Sequence, residues 1–479
     1  MFIDARDLPD GHLIECDLCI VGAGAAGITM AREFIGSPIK VAVIESGGFE
    51  PEEATQALYQ GEVIGFPDDS LETMRLRYFG GTTNHWAGNC RPLDEIDFLR
   101  RPSLPHSGWP FRRSELVPYY ERAETVCGVA PFNYDGTLSE STASGKPFSF
   151  DPTNLIAGVS HKSAPVRFGT EYRADLEAAE NIVVYLHGNI IDVKTNETAA
   201  HVTPLEGKCL TGNAFTVTAH MYVLALGGIE NARLLLAANG VEKPGLGNSN
   251  DLVGRFFMEH PRLLGAAEIL LSDRFLDVGF YASRPFQDKV ARGIVALSPD
   301  LIERDQLTNL YFNLWPVRYR SDGEKSAVAI ITHLDEWDLP DDIWTHIGNI
   351  IGDLDDVADA AYRKITDAPR PVDGLRVHCR VEPVPDPASR LILQEKSDPL
   401  GMPRVRLTWD PGELALKSLK RAVEVLALEV GRIGLGRLKV NFDPESDAWP
   451  EEVKPNGHHI GTTRMHDDIR QGVVDAHCR

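Results

Sequence analysis

The chain is poor in cysteine, poor in positive charge and without a long apolar run. Seven cysteines are scattered over 479 residues. An odd, dispersed set fits reduced thiols and excludes a small disulfide-stapled fold, so a cytoplasmic protein is expected. Cys16 and Cys19 have CxxC spacing, but alternation along a strand would send them to opposite faces, which argues against a metal or redox role. Lys plus Arg number 48 against 70 Asp plus Glu, a net charge of −22. That balance argues against nucleic acid and anionic lipid as partners. It also disfavours an anionic substrate, unless a local site overrides it. No stretch approaches the roughly 18–20 apolar residues of a membrane span, and the N-terminus lacks a basic-then-apolar signal pattern. The sequence shows no internal repeat, low-complexity tract, GxSxG elbow or Cys/His set of hydrolase spacing.

What the chain does have is a dinucleotide fingerprint. An apolar run from Leu18 to Val21 leads into Gly22-Ala-Gly24-Ala25-Ala26-Gly27. A helical pattern follows, then a second apolar run from Ile39 to Ile44 that ends on Glu45. This reads as strand, glycine turn, helix and parallel strand. Gly22 permits the tight turn, Gly24 lets the backbone approach a pyrophosphate, and Gly27 lets the helix pack closely on the sheet. The helix N-terminus offers N–H groups to the phosphates, and Glu45 can accept from a ribose diol. Ser46-Gly47-Gly48 could turn toward the adenosine. The stretch alone leaves FAD and NAD both open. Gly245-Leu-Gly247 and Gly434-Leu-Gly436 lack a third glycine in register, so no second nucleotide site is expected.

Residues 1–16 read as a lead-in arm. Residues 75–93 hold Gly80-Gly81-Thr-Thr83-Asn84-His85-Trp86-Ala87-Gly88, which suits backbone held against a flat ligand better than a helix or strand. Ser114 can cap a helix to about Cys127, with Gly128 as its stop. Residues 130–160 read as an irregular loop. Strands are expected at Ile182–Leu186 and Ile190–Val193, and Phe215–Leu226 continues the β-rich section. A second strand–glycine–helix junction follows at Gly227-Gly-Ile-Glu-Asn-Ala-Arg. From about 262 to 410 the pattern is that of an antiparallel sheet with loops. Helices are expected from about Asp341 to Lys364 and from about Glu413 to Ile433, with their apolar stripes in the core; the first stripe is Ile343, Ile347, Ile350, Ile351 and Leu354. Near the end, His458-His459-Ile-Gly461-Thr462 is a candidate acid/base pair, but it has no third ligand for a metal.

Taken together, the fingerprint with Glu45, GGTTNHWAG at 80–88, GGIENARLLL at 227–236, LVGRFFMEHP at 252–261 and HHIGTTRM at 458–465 resemble the glucose–methanol–choline (GMC) oxidoreductases. The closest likeness is to their bacterial branch of pyranose- and glycoside-oxidising enzymes and sugar dehydrogenase large subunits. The resemblance covers nearly the whole chain. It implies FAD and an α/β fold: a Rossmann-like FAD-binding domain with an inserted antiparallel-sheet (α+β) substrate domain. The implied division is 1–261 and 441–479 for FAD and 262–440 for substrate. By motif, His458 is the histidine beside flavin N5, and His459 is structural or substrate-facing. Gly80, Gly81, Thr83, Asn84, His85, Trp86 and Ala87 lie along the pyrophosphate and isoalloxazine. Asn189 and Ile190 meet the adenine, and Gly227 marks the second turn. The Thr83-x-His85-Trp86 context resembles pyranose oxidases, in which the histidine carries the flavin covalently, so His85 is either a covalent anchor or a packing residue.

The implied chemistry is oxidation of a small-molecule alcohol, most simply a sugar or glycoside, with oxygen, a quinone or a redox protein as electron acceptor. A non-sugar alcohol and an inactive flavin-binding remnant are the alternatives. Family members continue past Gly472–Arg479 with a strand, a second catalytic residue and a helix. On that pattern the sequence is expected to be a fragment, with weak FAD retention if it stood alone.

Overall fold

The computed structural model describes residues 1–66, 70–131, 133–134, 145–286, 289–335, 339–340, 342–366 and 371–479. The strands Leu18–Val21 and Val41–Ile44 are buried at every position and pair in parallel. Strands apolar on both faces must lie inside a covered sheet. Met221–Leu224 extends that sheet on one side; Ile182–Leu186 and then Phe2–Asp4 extend it on the other, all in parallel. The arm at 1–16 is therefore not loose. Phe2–Asp4 is an edge strand here, and His12–Glu15 is an edge strand of a four-stranded sheet with Ala214–Thr218, Val202–Lys208 and Asn189–Thr195. The β-rich stretch expected at Phe215–Leu226 holds two strands, Ala214–Thr218 and Met221–Leu224, which serve two sheets.

A third sheet has nine strands. Its path runs from Gly436–Val440 through Arg262–Leu271, Gly374–Val381, Leu310–Val317, Lys289–Leu297 and Leu155–Lys162 to Asn89–Cys90. Val453–Lys454 pairs with the start of Arg262–Leu271. Thus the segment that follows GGTTNHWAG forms one edge, and the strand that leads into HHIGT joins near the other. Two strands of this sheet, Asn89–Cys90 and Leu155–Lys162, come from before residue 262. One face carries Val295, Phe312, Leu314, Val377 and Cys379 into the main core. The helix Glu413–Arg432 contributes Leu419, Val423, Leu426 and Val430 to that core, as its stripe implied.

The other expected stripe is not core. The segment forms two helices, Ile343–Gly352 and Leu354–Thr366, broken at Asp353, and neither has a buried residue; Asp341 lies outside the described residues. Ile351 is 69% exposed and Leu354 60%. Both helices belong to an excursion between two sheet strands and pack on the helix Asp322–Asp335. Periodicity reports an apolar face but not what covers it. The helix expected from Ser114 spans Arg113–Cys127 and closes at Gly128 with φ +64°. Of the loop expected at 130–160, residues 132 and 135–144 lie outside the described residues, and Leu155–Lys162 is a strand. Among the described residues, no helix is long and apolar enough to cross a membrane.

Candidate active site

The fingerprint turn is built by steric necessity. Gly22 has φ +103°, and a β-carbon there would lie 2.8 Å from Ala225 O. A β-carbon at Gly27 would sit 1.9 Å from Gly22 O, so only glycine lets the helix Ala25–Glu33 close on the strand. At Gly24 and Gly227 a β-carbon would meet nothing within 4 Å. The two turns therefore present bare backbone to open space, a cradle that fits a pyrophosphate over the helix start at Ala25 and Ala26. Glu45 does something that sequence reading did not foresee. Its two oxygens accept from Ala23 N at 2.8 Å and Gly47 N at 3.0 Å, so it pins the turn itself. Each oxygen keeps a second lone pair for a diol.

The segment from Gly80 is tied to that turn. Gly80 N donates to Ala23 O at 2.9 Å, and a β-carbon at Gly81 would stand 3.1 Å from Gly24 Cα. Thr83 Oγ1 donates to Gly80 O at 2.5 Å and Asn84 Nδ2 to Phe79 O at 2.8 Å, so both side chains brace the loop. Trp86 is anchored by its indole N–H on Val166 O at 2.7 Å. His85 and Ala87 are exposed. Partial burial and the Arg167 guanidinium lower the His85 pKa, which favours the neutral imidazole.

At the far end, a cleft is lined by Val21, Ile44, Ser46, Arg77, Asn189 and Ile190. Arg77 donates to Ser46 Oγ at 2.6 Å, and Ser46 donates to Asn189 Oδ1 at 2.5 Å. Behind it, Glu230 accepts from Arg75 at 2.8 Å, Arg233 at 3.2 Å and Arg77 at 3.3 Å. Burial pushes the Glu230 pKa up, but the three guanidiniums outweigh it and bring it down to about 2. Sequence reading missed Arg75, Arg77 and Arg233, whose acid partner lies up to 155 residues away.

The histidine loop is organised by another residue not singled out beforehand. Glu259, 2% exposed, accepts backbone N–H from His458 at 2.7 Å, His260 at 2.9 Å and Asn456 at 3.1 Å. The only advance signal was its place inside the LVGRFFMEHP motif. Thr462 Oγ1 donates to Gly228 O, which joins this loop to the second glycine turn. The two histidines diverge. His459 turns inward, its Nε2 3.3 Å from Met74 Sδ and 3.4 Å from a Glu259 oxygen. Burial, Arg75 and His458 hold its pKa down at about 3, while burial raises that of Glu259 to about 7. His458 turns outward. Its ring lies edge-on to His260 at 5.2 Å, with the Asn456 amide 3.0 Å from Nδ1. Burial of the rest of the ring, then Arg380 and Arg262, lower it to about 4. His458 is thus a neutral base facing open space, and His459 a neutral strut.

Cys16 Sγ donates to Thr218 O at 3.7 Å, and Cys19 is fully buried in the strand Leu18–Val21. Cys16 precedes the strand, where the chain bends, so strand alternation does not apply to it. Among the described residues, no group of three or more His, Cys, Asp or Glu could hold a metal.

Residues 385–479 match the family model described as GMC oxidoreductase. The chain is 23% identical to the fructose dehydrogenase large subunit of Gluconobacter japonicus, over 96% of this chain and 90% of that one. It is 25% identical to 6'''-hydroxyparomomycin C oxidase of Streptomyces lividus, over 68% of this chain and 71% of that one. Both likenesses point to the GMC oxidoreductases, which the C-terminal segment matches directly. Solved structures agree on the fold. Pyridoxine 4-oxidase from Mesorbium loti superposes with a TM-score of 0.53 at 17% identity, covering 97% of this chain and 91% of that one. A formate oxidase gives 0.52 at 16%, covering 98% and 91%. These similarities support an FAD-dependent enzyme acting on CH–OH groups, and the paired glycine cradles fit that cofactor.

Proposed function

We propose that this chain is a GMC oxidoreductase that oxidises a hydroxyl-bearing carbon of a sugar or glycoside, with His458 as the base. One observation carries the reading. The outward, neutral His458 ring sits on a loop whose backbone is held by Glu259 and fastened to Gly228, beside a glycine turn whose open side fits FAD. When bound, FAD supplies the acceptor for the hydride leaving the carbinol carbon. The chain's own residues do the rest. His458 accepts the hydroxyl proton, help worth roughly 10²–10⁴ in rate. Asn456 and His260 hold its ring, and Glu259 fixes its backbone. Gly22, Gly24, Ala25, Ala26, Gly27, Gly80, Gly81 and Gly227 bear on the pyrophosphate; Ser46, Asn189 and Ile190 bear on the adenosine.

The division into FAD-binding parts 1–261 and 441–479 and a substrate part 262–440 is part of the same reading. His85 is assigned as the covalent anchor of the flavin, because it is exposed and kept neutral beside Arg167. Acid precipitation of the holoenzyme tests this. Yellow colour that stays in the pellet supports the bond, and full release to the supernatant refutes it. For the reaction itself, His458→Ala should slow flavin reduction while FAD content holds. Unchanged reduction kinetics would remove His458 from the role.

A further inference from the structure

The nine-stranded sheet has a second, polar face. Strand register fixes which side chains share it. Arg380 lies opposite Tyr311 on one side and Arg262 on the other. His378 lies opposite Asn313, and Arg376 opposite Trp315 and Glu268. Arg292 joins them from the next strand, its guanidinium 4.3 Å above the Trp315 ring. Trp315 in turn meets His378 edge-on at 5.0 Å and is 46% exposed. Neighbouring strands are about 4.8 Å apart, so these groups form one patch. The patch runs into the candidate active site, since Arg262 pairs with Arg380 and lies two residues from His260, whose ring meets His458 edge-on at 5.2 Å.

The charge balance of this patch is opposite to that of the chain. Four arginines surround His378, and their field together with burial holds it down at about 4. Burial and Arg380 also lower the pKa of Arg292. Acidic neighbours are few. Asp94 pairs with Arg91 at the sheet edge, and Glu268 accepts the Tyr319 hydroxyl. Among the described residues, no ion pair engages Arg292 or Arg380. His378 adds a donor. Its Nδ1 accepts Gly265 N–H at 2.9 Å, so the proton of the neutral ring sits on Nε2. Clustered guanidiniums repel one another, and an oxyanion offers them what the protein does not: planar acceptors for their paired N–H groups.

We propose that the polar sheet face at Arg292, His378 and Arg380, beside His458, takes an alcohol that carries its own oxyanion, a carboxylate or a phosphate, so that the substrate is an anionic sugar. The acidic composition disfavours such a substrate, and this patch overrides it locally. The proposal deepens the reading of His458 as the base but is tested apart from it.

Calorimetric titration of the FAD-loaded enzyme with glucose, glucuronate and glucose 6-phosphate is the experiment, repeated on Arg292→Gln and Arg380→Gln. At least one anion should bind about ten-fold or more tighter than glucose. Preference for glucuronate identifies a carboxylate site, and preference for glucose 6-phosphate a phosphate site. Either substitution should cut the preference about five-fold or more, and raised salt should weaken the anion more than glucose. Thermal midpoints check folding, and the two variants serve as independent tests. Equal binding of all three sugars, no measurable anion binding, or a preference untouched by both substitutions would overturn the proposal. Flavin bleaching is read in the same samples. Tight anion binding with no bleaching by any alcohol would refute the oxidation while leaving the anion site. Bleaching with no anion preference would do the reverse.

Discussion

His458 and His459 are adjacent in sequence and opposite in environment. His458 faces outward with its pKa lowered to about 4, so it is a neutral base across the ordinary pH range. In Glu259→Gln, which removes the neighbouring carboxyl raised to about 7, the rate of flavin reduction is expected to hold from about pH 8 down to about pH 5. An imidazole of ordinary pKa, near 6.5, would start to lose it well above that. A protonation limb near 6.5 in the pH–rate profile would contradict this placement. His459 is buried, and its folded pKa of about 3 lies below the unfolded value near 6.5. Below 6.5 the unfolded chain takes up the proton first, so the stability His459 contributes is full above about 6.5 and is lost as pH falls toward 3. The gap in urea stability between wild type and His459→Asn should therefore be wider at pH 7 than at pH 4.5. Glu259 accepts three backbone N–H groups out of solvent. Glu259→Ala leaves buried donors unmet and should cost about 1–3 kcal/mol in urea unfolding, with slower flavin reduction because the His458 loop loses its anchor. Neither Glu259 nor Arg77 was readable as a site residue. A carboxylate that serves amides 197–199 residues away leaves no local pattern.

At the scale of elements, the glycine turns were legible because their requirement is local. The clash that forbids a side chain at Gly27 is with Gly22 O in the same turn, and Gly22 is read from its place in that short pattern although its own clash is with the distant Ala225 O. Gly27→Ala would place a methyl 1.9 Å from Gly22 O and must push the helix off the strand. The expected cost is about 1–3 kcal/mol or more, with FAD lost; flavin absorbance per protein and the thermal midpoint measure both. Elements whose identity depends on a distant partner were read less well. The stripe on Ile343–Gly352 and Leu354–Thr366 has helical spacing but no sheet beneath it. Phe215–Leu226 divides because Ala214–Thr218 pairs with His12–Glu15 and Met221–Leu224 with Leu18–Val21.

At the scale of the molecule, the nine-stranded sheet is the surface on which the glycine-rich segment at 80–88 and the histidine segment at 458–465 converge. Asn89–Cys90 brings GGTTNHWAG to one edge and Val453–Lys454 brings HHIGT toward the other. The presence of that sheet was legible from alternation after residue 262, but its recruitment of Leu155–Lys162 was not, since long-range pairing has no sequence period of its own. The account stands on one claim, that His458 deprotonates an alcohol beside bound FAD. Anaerobic rapid mixing of the FAD-loaded enzyme with glucose, glucuronate and glucose 6-phosphate, in wild type and His458→Ala, tests it most directly. The account expects the flavin band to bleach in the wild type and to bleach about 10²–10⁴-fold more slowly in the variant at equal FAD content. Bleaching at the same rate in both, or in neither, would contradict it.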